Sequence, residues 1–268
     1  MPQDEIRFEG VTFSYPGSDT AVLDGLDLTI TKGESLALVG LNGAGKTTLV
    51  KLLCGLYQPT SGGITIDGID LVDIDLASWR TRIGVIFQDF VHYELSATDN
   101  IAFGAPHTDR DREVLLRAAE RAGIRTAIES LPEGWNTVLS RQYDKGGELS
   151  GGQWQRIALA RALYAVDAGA GVLVLDEPTA NLDVRAEAEL FEQFLAWTEP
   201  VTSLLISHRL STVRRADRIV VLDAGRIVES GSHDELLAAD GRYAHLFRLQ
   251  ASQYADDPDT ESGAIADA

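Results

Sequence analysis

Gly40-Leu41-Asn42-Gly43-Ala44-Gly45-Lys46-Thr47 has the spacing G-x-x-x-x-G-K-[ST] of a loop that wraps phosphate. The glycines let backbone N–H groups close around phosphate oxygens, and a helix starting here adds its partial positive charge. Lys46 would then reach the β and γ phosphates of a nucleoside triphosphate, and the Thr47 hydroxyl would bind Mg²⁺. By itself the octapeptide is also a tight strand-to-helix turn. Its flanks favour the phosphate reading: an apolar run, Ser35–Val39, precedes it, a helix-like segment from Thr48 to Cys54 follows, and Gly55 is placed to end that helix.

A second chemical feature is Val172-Leu173-Val174-Leu175-Asp176-Glu177, an apolar run ending in two carboxylates. At the C-terminal edge of a sheet, beside a phosphate loop, Asp176 stands where a second Mg²⁺ contact belongs. Glu177 is one residue on and points elsewhere, so it can hold an attacking water as general base. Alone, this pattern is also a strand running out into a polar loop.

Those residues need a sheet to hold them. Four apolar runs, Ser35 to Val39, Ile83 to Phe87, Val172 to Leu175 and Val201 to Ile206, alternate with helical or mixed segments. Short β-rich runs buried on both faces and separated by helices predict a parallel sheet. Ahead of them, Ile6, Phe8, Val11, Phe13 and Tyr15 alternate with polar residues, and Gly10 shifts the phase as a bulge would. Leu26, Leu28 and Ile30 alternate again. Ile64 to Ile69 reads as a hairpin turning at Asp67-Gly68. Roughly 106 to 166 reads as helical, with a cap near Thr108 and a second start at Ser150, which has the S-x-x-Q spacing of a capping box with Gln153. Asp183 can cap a helix, and Ser232 with Glu235 repeats the capping-box pattern.

Composition narrows the classes. The 268 residues are 44% hydrophobic and 24% charged, the mix of a folded chain with a sizeable core. The single cysteine, Cys54, excludes an internal disulfide. No run approaches the length of a membrane span, and the first residues have no secretory pattern. With 23 basic and 41 acidic residues the net charge is −18, which argues against nucleic acid as the main partner and against direct lipid insertion. Residues 255–268 hold five of the acids and no base, and read as a disordered tail.

Leu149-Ser150-Gly151-Gly152-Gln153 makes the assignment specific. It lies about a hundred residues after the phosphate loop and about 25 before the acidic strand end. In that order and spacing the chain resembles the ATP-binding cassette (ABC) ATPases, from about Ile6 to about Leu249. Ser150 can cap a helix while Gly151 and Gly152 leave its first N–H groups uncovered, which makes a second anion site.

The resemblance implies an α/β fold. A P-loop (RecA-like) core with a mainly parallel sheet would carry an N-terminal antiparallel β lobe and a helical signature lobe at about 89–165, together spanning 1–254. ATP is implied as substrate and Mg²⁺ as cofactor. Gly40, Asn42, Gly43, Ala44, Gly45, Lys46, Thr47 and Thr48 would hold the nucleotide from one chain. Ser150, Gly151, Gly152 and Gln153 would close on it from a second cassette packed head to tail, with Asp183 crossing the interface. Tyr15 looks like the aromatic that stacks on adenine. Gln88 looks like the glutamine that senses Mg²⁺ and the attacking water, and His208 like the switch histidine at the γ phosphate.

The segments Ser207 to Val213, Ala216 to Ile219, Gly225 to Glu229 and Gly231 to Leu236 are similar to the exporter branch of the family. The implied place is the cytoplasmic face of the cell membrane. The partner is a transmembrane domain, fused or separate; the register's start within six residues of Met1 favours a fused one that has been removed. Phe90 to Asn100 would face that partner. The stretch from Thr137 to Glu148 departs from the exporter pattern by lacking its usual Gly-Glu pair, which puts one cross-contact in doubt. Three other readings remain open: a soluble chromosome or translation ATPase, a stand-alone importer subunit, and a non-hydrolysing regulatory cassette. Against them stand the absence of sustained heptads, the single cassette, the Ser207-His208-Arg209 segment and the presence of Glu177.

Overall fold

Alternation at the N-terminus becomes an antiparallel sheet in the computed structural model, which describes residues 2–176, 201–207 and 210–255 (backbone only at 211, 212 and 253–255). β1 (Glu5–Phe13) pairs with β2 (Leu23–Thr31) on one side. β3 (Ser35–Val39) leaves for a second sheet. β4 (Ser61–Ile66) returns to the other side of β1 and turns into the two-residue β5 (Ile69–Asp70). The register of β1 slips between Phe8 and Val11, so Ile6, Phe8, Val11 and Phe13 all stay on the buried face. The turn is the expected one, with Asp67 at φ 52° and Gly68 at φ 79°. Burial is the largest single influence on the Asp67 carboxyl and raises its pKa, but the backbone N–H groups of Gln3, Asp4 and Glu5 all donate to it and together hold it below the usual range.

The second sheet has the order β10-β9-β3-β8-β7-β6, where β6 is Ile83–Ile86, β7 Val172–Asp176, β8 Thr202–Ile206, β9 Arg218–Asp223 and β10 Arg226–Gly231. Each predicted apolar run supplies one strand, and these pair in parallel. β9 is a fifth parallel strand that the sequence reading did not single out. Among the described strands of this sheet only the edge strand β10 is antiparallel, joined to β9 by a tight turn.

Both faces are covered, which is why the runs are continuously apolar. Leu36, Leu38, Val172, Val174, Leu204, Ile206, Val220 and Leu222 pack toward the antiparallel sheet and α1 (Lys46–Leu53). Ala37, Val39, Leu173, Leu175, Leu205, Ile219 and Val221 pack toward helices on the other side. Fully burying one such side chain contributes ~1.5–3 kcal/mol.

Of the helices, α2 (Leu76–Arg80) inserts Trp79, whose indole N–H donates to the Leu53 carbonyl at 2.8 Å. α3 (Ala97–Ala102), α4 (Arg112–Arg121), α5 (Arg125–Glu129) and α6 (Gly151–Asp167) follow. α7 (Leu210–Val213), α8 (His233–Ala238) and α9 (Arg242–Ala255) close the described chain. The capping boxes at Ser150 and Ser232 both form.

Two local expectations are corrected. α4 is capped by Asp111, which accepts from the Glu113 and Val114 N–H groups, because the Thr108 hydroxyl donates to Ala105 instead. Residues 106–166 are also not continuously helical: between α5 and α6 the chain makes a 3₁₀ turn at Gly134–Asn136 and an extended loop. That loop is held by the Gly147 N–H donating to Val138 and by Thr137, whose hydroxyl accepts from the Glu133 N–H. Gly146 packs against the Ser140 carbonyl with no room for a side chain.

Cys54 ends α1 in the core, and burial pushes its thiol up to about 12 against the opposing pull of Arg80. Thiolate is the reactive form. A disulfide-exchange reagent at pH 8 is therefore expected to leave the folded chain unlabelled and to label one thiol once denaturant is added. Rapid labelling of the folded chain would show that α1 opens readily at its C-terminal end.

Candidate nucleotide site

The phosphate loop lies where the sequence places it, between β3 and α1 at the C-terminal edge of the parallel sheet. Its shape requires glycine at two points. A Cβ on Gly40 would sit 2.2 Å from the Leu222 carbonyl oxygen of β9. Gly45, at φ 108°, would bring one within 2.7 Å of Leu23. Gly45 also caps α1 without a side chain, and the first turn of α1 holds no acid, so its N–H groups are left for an anion.

Lys46 is 7% exposed, and its ammonium donates to the carbonyls of Gly40 at 2.8 Å and Leu41 at 3.1 Å. These bonds hold the cation inside the curve of the loop. A pocket of about 740 Å³ opens there, lined by Tyr15, Val22, Asn42, Gly43, Gly45, Lys46, Thr47, Thr48 and Gln88. The volume suits a nucleotide-sized ligand. At one end the Tyr15 hydroxyl is 3.0 Å from the Thr48 hydroxyl and 3.5 Å from the Lys51 ammonium. The Phe13 and Tyr57 rings stand nearly perpendicular to Tyr15, at 5.0 and 5.4 Å. At 5.5 Å from the ring centroid, the Lys51 ammonium lies out by the hydroxyl rather than on the π face.

Asp176 ends β7 and is 1% exposed. Ile206 of β8 is level with Leu38 of β3 on one side and with Asp176 on the other. Asp176 thus stands two strands, about 10 Å, across from the foot of the phosphate loop. Gln88 is two residues past the end of β6, on the same edge. The oxygen donors of this edge, the Thr47 hydroxyl, the Gln88 amide and the Asp176 carboxylate, are the hard ligands that Mg²⁺ takes in small number beside substrate phosphates. Among the described residues no cluster of three or more His, Cys, Asp or Glu forms an all-protein metal cage. Glu177, Asp183 and His208 lie outside the described residues.

The signature residues are elsewhere. Ser150 accepts from the Gln153 N–H, and the Gln153 side chain accepts from the Ser150 N–H at 2.8 Å. Ser150 and Gly151 are exposed, and Gly152 has open space where a Cβ would be. None of 150–153 lines the pocket. One chain therefore carries a phosphate pocket and, apart from it, an open helix start.

The ABC transporter family matches residues 23–180, which takes in the phosphate loop, the signature and Asp176. The chain belongs to the ABC transporter family. Its relatives include ATP-dependent lipid A-core flippases of Chromohalobacter salexigens (44% identical over 245 residues, 91% of this chain and 41% of the relative) and Alkalilimnicola ehrlichii (45% over 246 residues, 91% and 40%). Among solved structures, a bacterial Atm1-family ABC exporter with ATP bound superposes with a TM-score of 0.83 at 38% identity, over 92% of this chain and 42% of that one. These likenesses fall in the exporter branch and favour it over the soluble and importer readings. The cassette spans about two fifths of the length of the relatives it matches. Among its described residues no helix is long and apolar enough to cross a membrane.

Several site residues were not singled out from the sequence. Val22 lines the pocket because β2 starts beside the loop; Lys51 and Tyr57 brace Tyr15. Lys51 was findable, since it sits one helical turn past Thr47. Tyr57 was not, because only the fold brings it to Tyr15.

Proposed function

We propose that this chain is the ATP-hydrolysing domain of an ABC exporter, working at the cytoplasmic face of a membrane. One observation carries the reading: the phosphate pocket and the signature helix are separate half-sites, each open, on one chain of this family. Two cassettes packed head to tail join each pocket to the other's signature, with ATP as the bridge. Tyr15 stacks on the base, Lys46 and the α1 N–H groups hold the phosphates, and the Ser150-Gly151-Gly152-Gln153 start closes on the γ phosphate. Thr47 and Asp176, with Gln88 beside them, would hold Mg²⁺, which when bound would neutralise charge on the phosphate oxygens. Glu177 takes the proton from the attacking water, and His208 contacts the γ phosphate.

Transport follows from the cycle of closure and opening, passed to a transmembrane partner. The exposed Val91, Leu95 and Phe103, next to Gln88 and at the end of α3, give that partner an apolar landing. Cargo is selected by the membrane-spanning part.

Light scattering of the Glu177→Gln variant tests the pairing. Its mass should be that of a monomer without nucleotide and double with Mg²⁺-ATP. An unchanged mass, with ATP binding confirmed separately, would show that two copies do not bridge by themselves, so that the pairing needs either a different cassette or a membrane domain that holds the two halves together.

A further inference from the structure

The loop after Gln88 is fastened to the signature helix at two places. Nearer Gln88, the His92 ring lies flat on the Trp154 indole, with centroids 4.2 Å apart and planes 5° from parallel. Trp154 is the fourth residue of α6, one turn past Ser150, and is 6% exposed. Phe90 backs the stack at 5.4 Å from His92. Farther along, the Arg161 guanidinium lies 4.9 Å from the Tyr93 ring centroid and donates to the Asn100 carbonyl (2.9 Å) and side-chain oxygen (3.2 Å). Asn100 in turn donates to the carbonyls of Tyr93, Leu95 and Ser96 at 3.0–3.2 Å.

The two fastenings differ in kind. The Arg161–Asn100 anchor is a polar network between two helices, α6 and α3. The stack rests on ring contact alone, since the imidazole has no hydrogen-bond partner among the described residues. Burial, with the nearby Arg161 charge, holds the His92 pKa below its usual value, so the stacked ring is neutral at neutral pH. A neutral flat ring can lie on an indole without desolvating a charge.

We infer that the His92–Trp154 stack is the joint through which the Gln88 loop moves the start of the signature helix. Gln88 lines the pocket; His92 and Trp154 do not. A nucleotide that reorients Gln88 draws the loop, and the stack passes that displacement to Ser150-Gly151-Gly152, the half-site that serves the other cassette. His92 and Trp154 are thus positioning residues that couple the two half-sites of one chain. This rests on reading the pocket as the ATP site.

Backbone hydrogen–deuterium exchange tests the joint in Glu177→Gln protein with Mg²⁺-ATP, at a concentration where light scattering gives a monomer. ATP should slow exchange at 40–48 by direct contact and at 150–156 through the joint, the latter by ~2- to 30-fold, the range of coupling through packed side chains. Adding His92→Ala should leave the slowing at 40–48 intact and reduce that at 150–156 to under about twofold. His92→Phe, which keeps a flat ring, should restore it. Slowing at 150–156 that survives His92→Ala, or that is absent in the parent, overturns the joint. So does a His92→Phe protein that behaves like His92→Ala. Absence of slowing at 40–48 in the parent would instead remove the pocket reading itself, and the joint with it.

Discussion

Replacing Glu177 by glutamine is expected to lower ATP turnover by ~10²–10⁴-fold, the range a positioned general base contributes. That is ~2.7–5.4 kcal/mol of transition-state free energy. The expectation rests on where β7 ends. Asp176 closes that strand on the same sheet edge as the phosphate loop, level with Leu38 two strands away. In the proposed function Asp176 serves the metal and Glu177 the attacking water. Glutamine keeps the size and hydrogen-bonding reach of Glu177 and loses only its basicity. Steady-state turnover and equilibrium ATP binding, measured on the same preparation, separate the outcomes. Slow turnover with ATP still bound supports the base. Loss of both would make Glu177 a binding residue, and retained turnover would mean that another group takes the proton.

Lys46→Met is expected to weaken ATP binding by roughly 10- to 100-fold, the worth of one or two charge-assisted hydrogen bonds in a buried site. The ammonium lies inside the loop on the carbonyls of Gly40 and Leu41, so the same change should cost the nucleotide-free fold about 1.5–3 kcal/mol. Methionine preserves most of the buried apolar stem, which keeps packing loss small. Thermal unfolding with and without Mg²⁺-ATP reads both effects. At ATP a hundredfold above the parent Kd, binding adds ~2.7 kcal/mol to the parent and under about 0.5 kcal/mol to a variant bound a hundredfold more weakly. A variant that ATP stabilises as much as the parent would remove Lys46 from the phosphate site.

Much of the core was legible because short-range rules govern it. Period-two alternation with a shift at Gly10 predicted β1 and its bulge. Asp67-Gly68 predicted a hairpin, and Ser150 with Gln153 a capping box; each is decided by residues within a few positions of one another. The unbroken apolar runs foretold strands buried on both faces. β9 was not foreseen although Ile219, Val220, Val221 and Leu222 make the same kind of run; a four-residue apolar run between charged residues does not by itself distinguish a strand from a helical segment. The cap of α4 was misplaced because Thr108 and Asp111 are both good caps. The choice was made by Ala105, which takes the Thr108 hydroxyl.

What the sequence alone determined is the chemistry available: a glycine loop ending in lysine and threonine, a carboxylate pair at a strand end, and a capped helix start with two bare glycines. Those depend on residue type and local spacing, and spacing along a chain is set by covalent geometry. What only the tertiary structure decided is which of these groups meet. Tyr15 and Gln88 join the phosphate loop while the signature stays apart, and His92 comes to rest on Trp154 across some sixty positions of sequence. Such meetings are fixed by the order of strands in the sheet and by how helices pack on its faces. They arise from the summed burial of many side chains, none of which carries the address of its partner in its own neighbourhood.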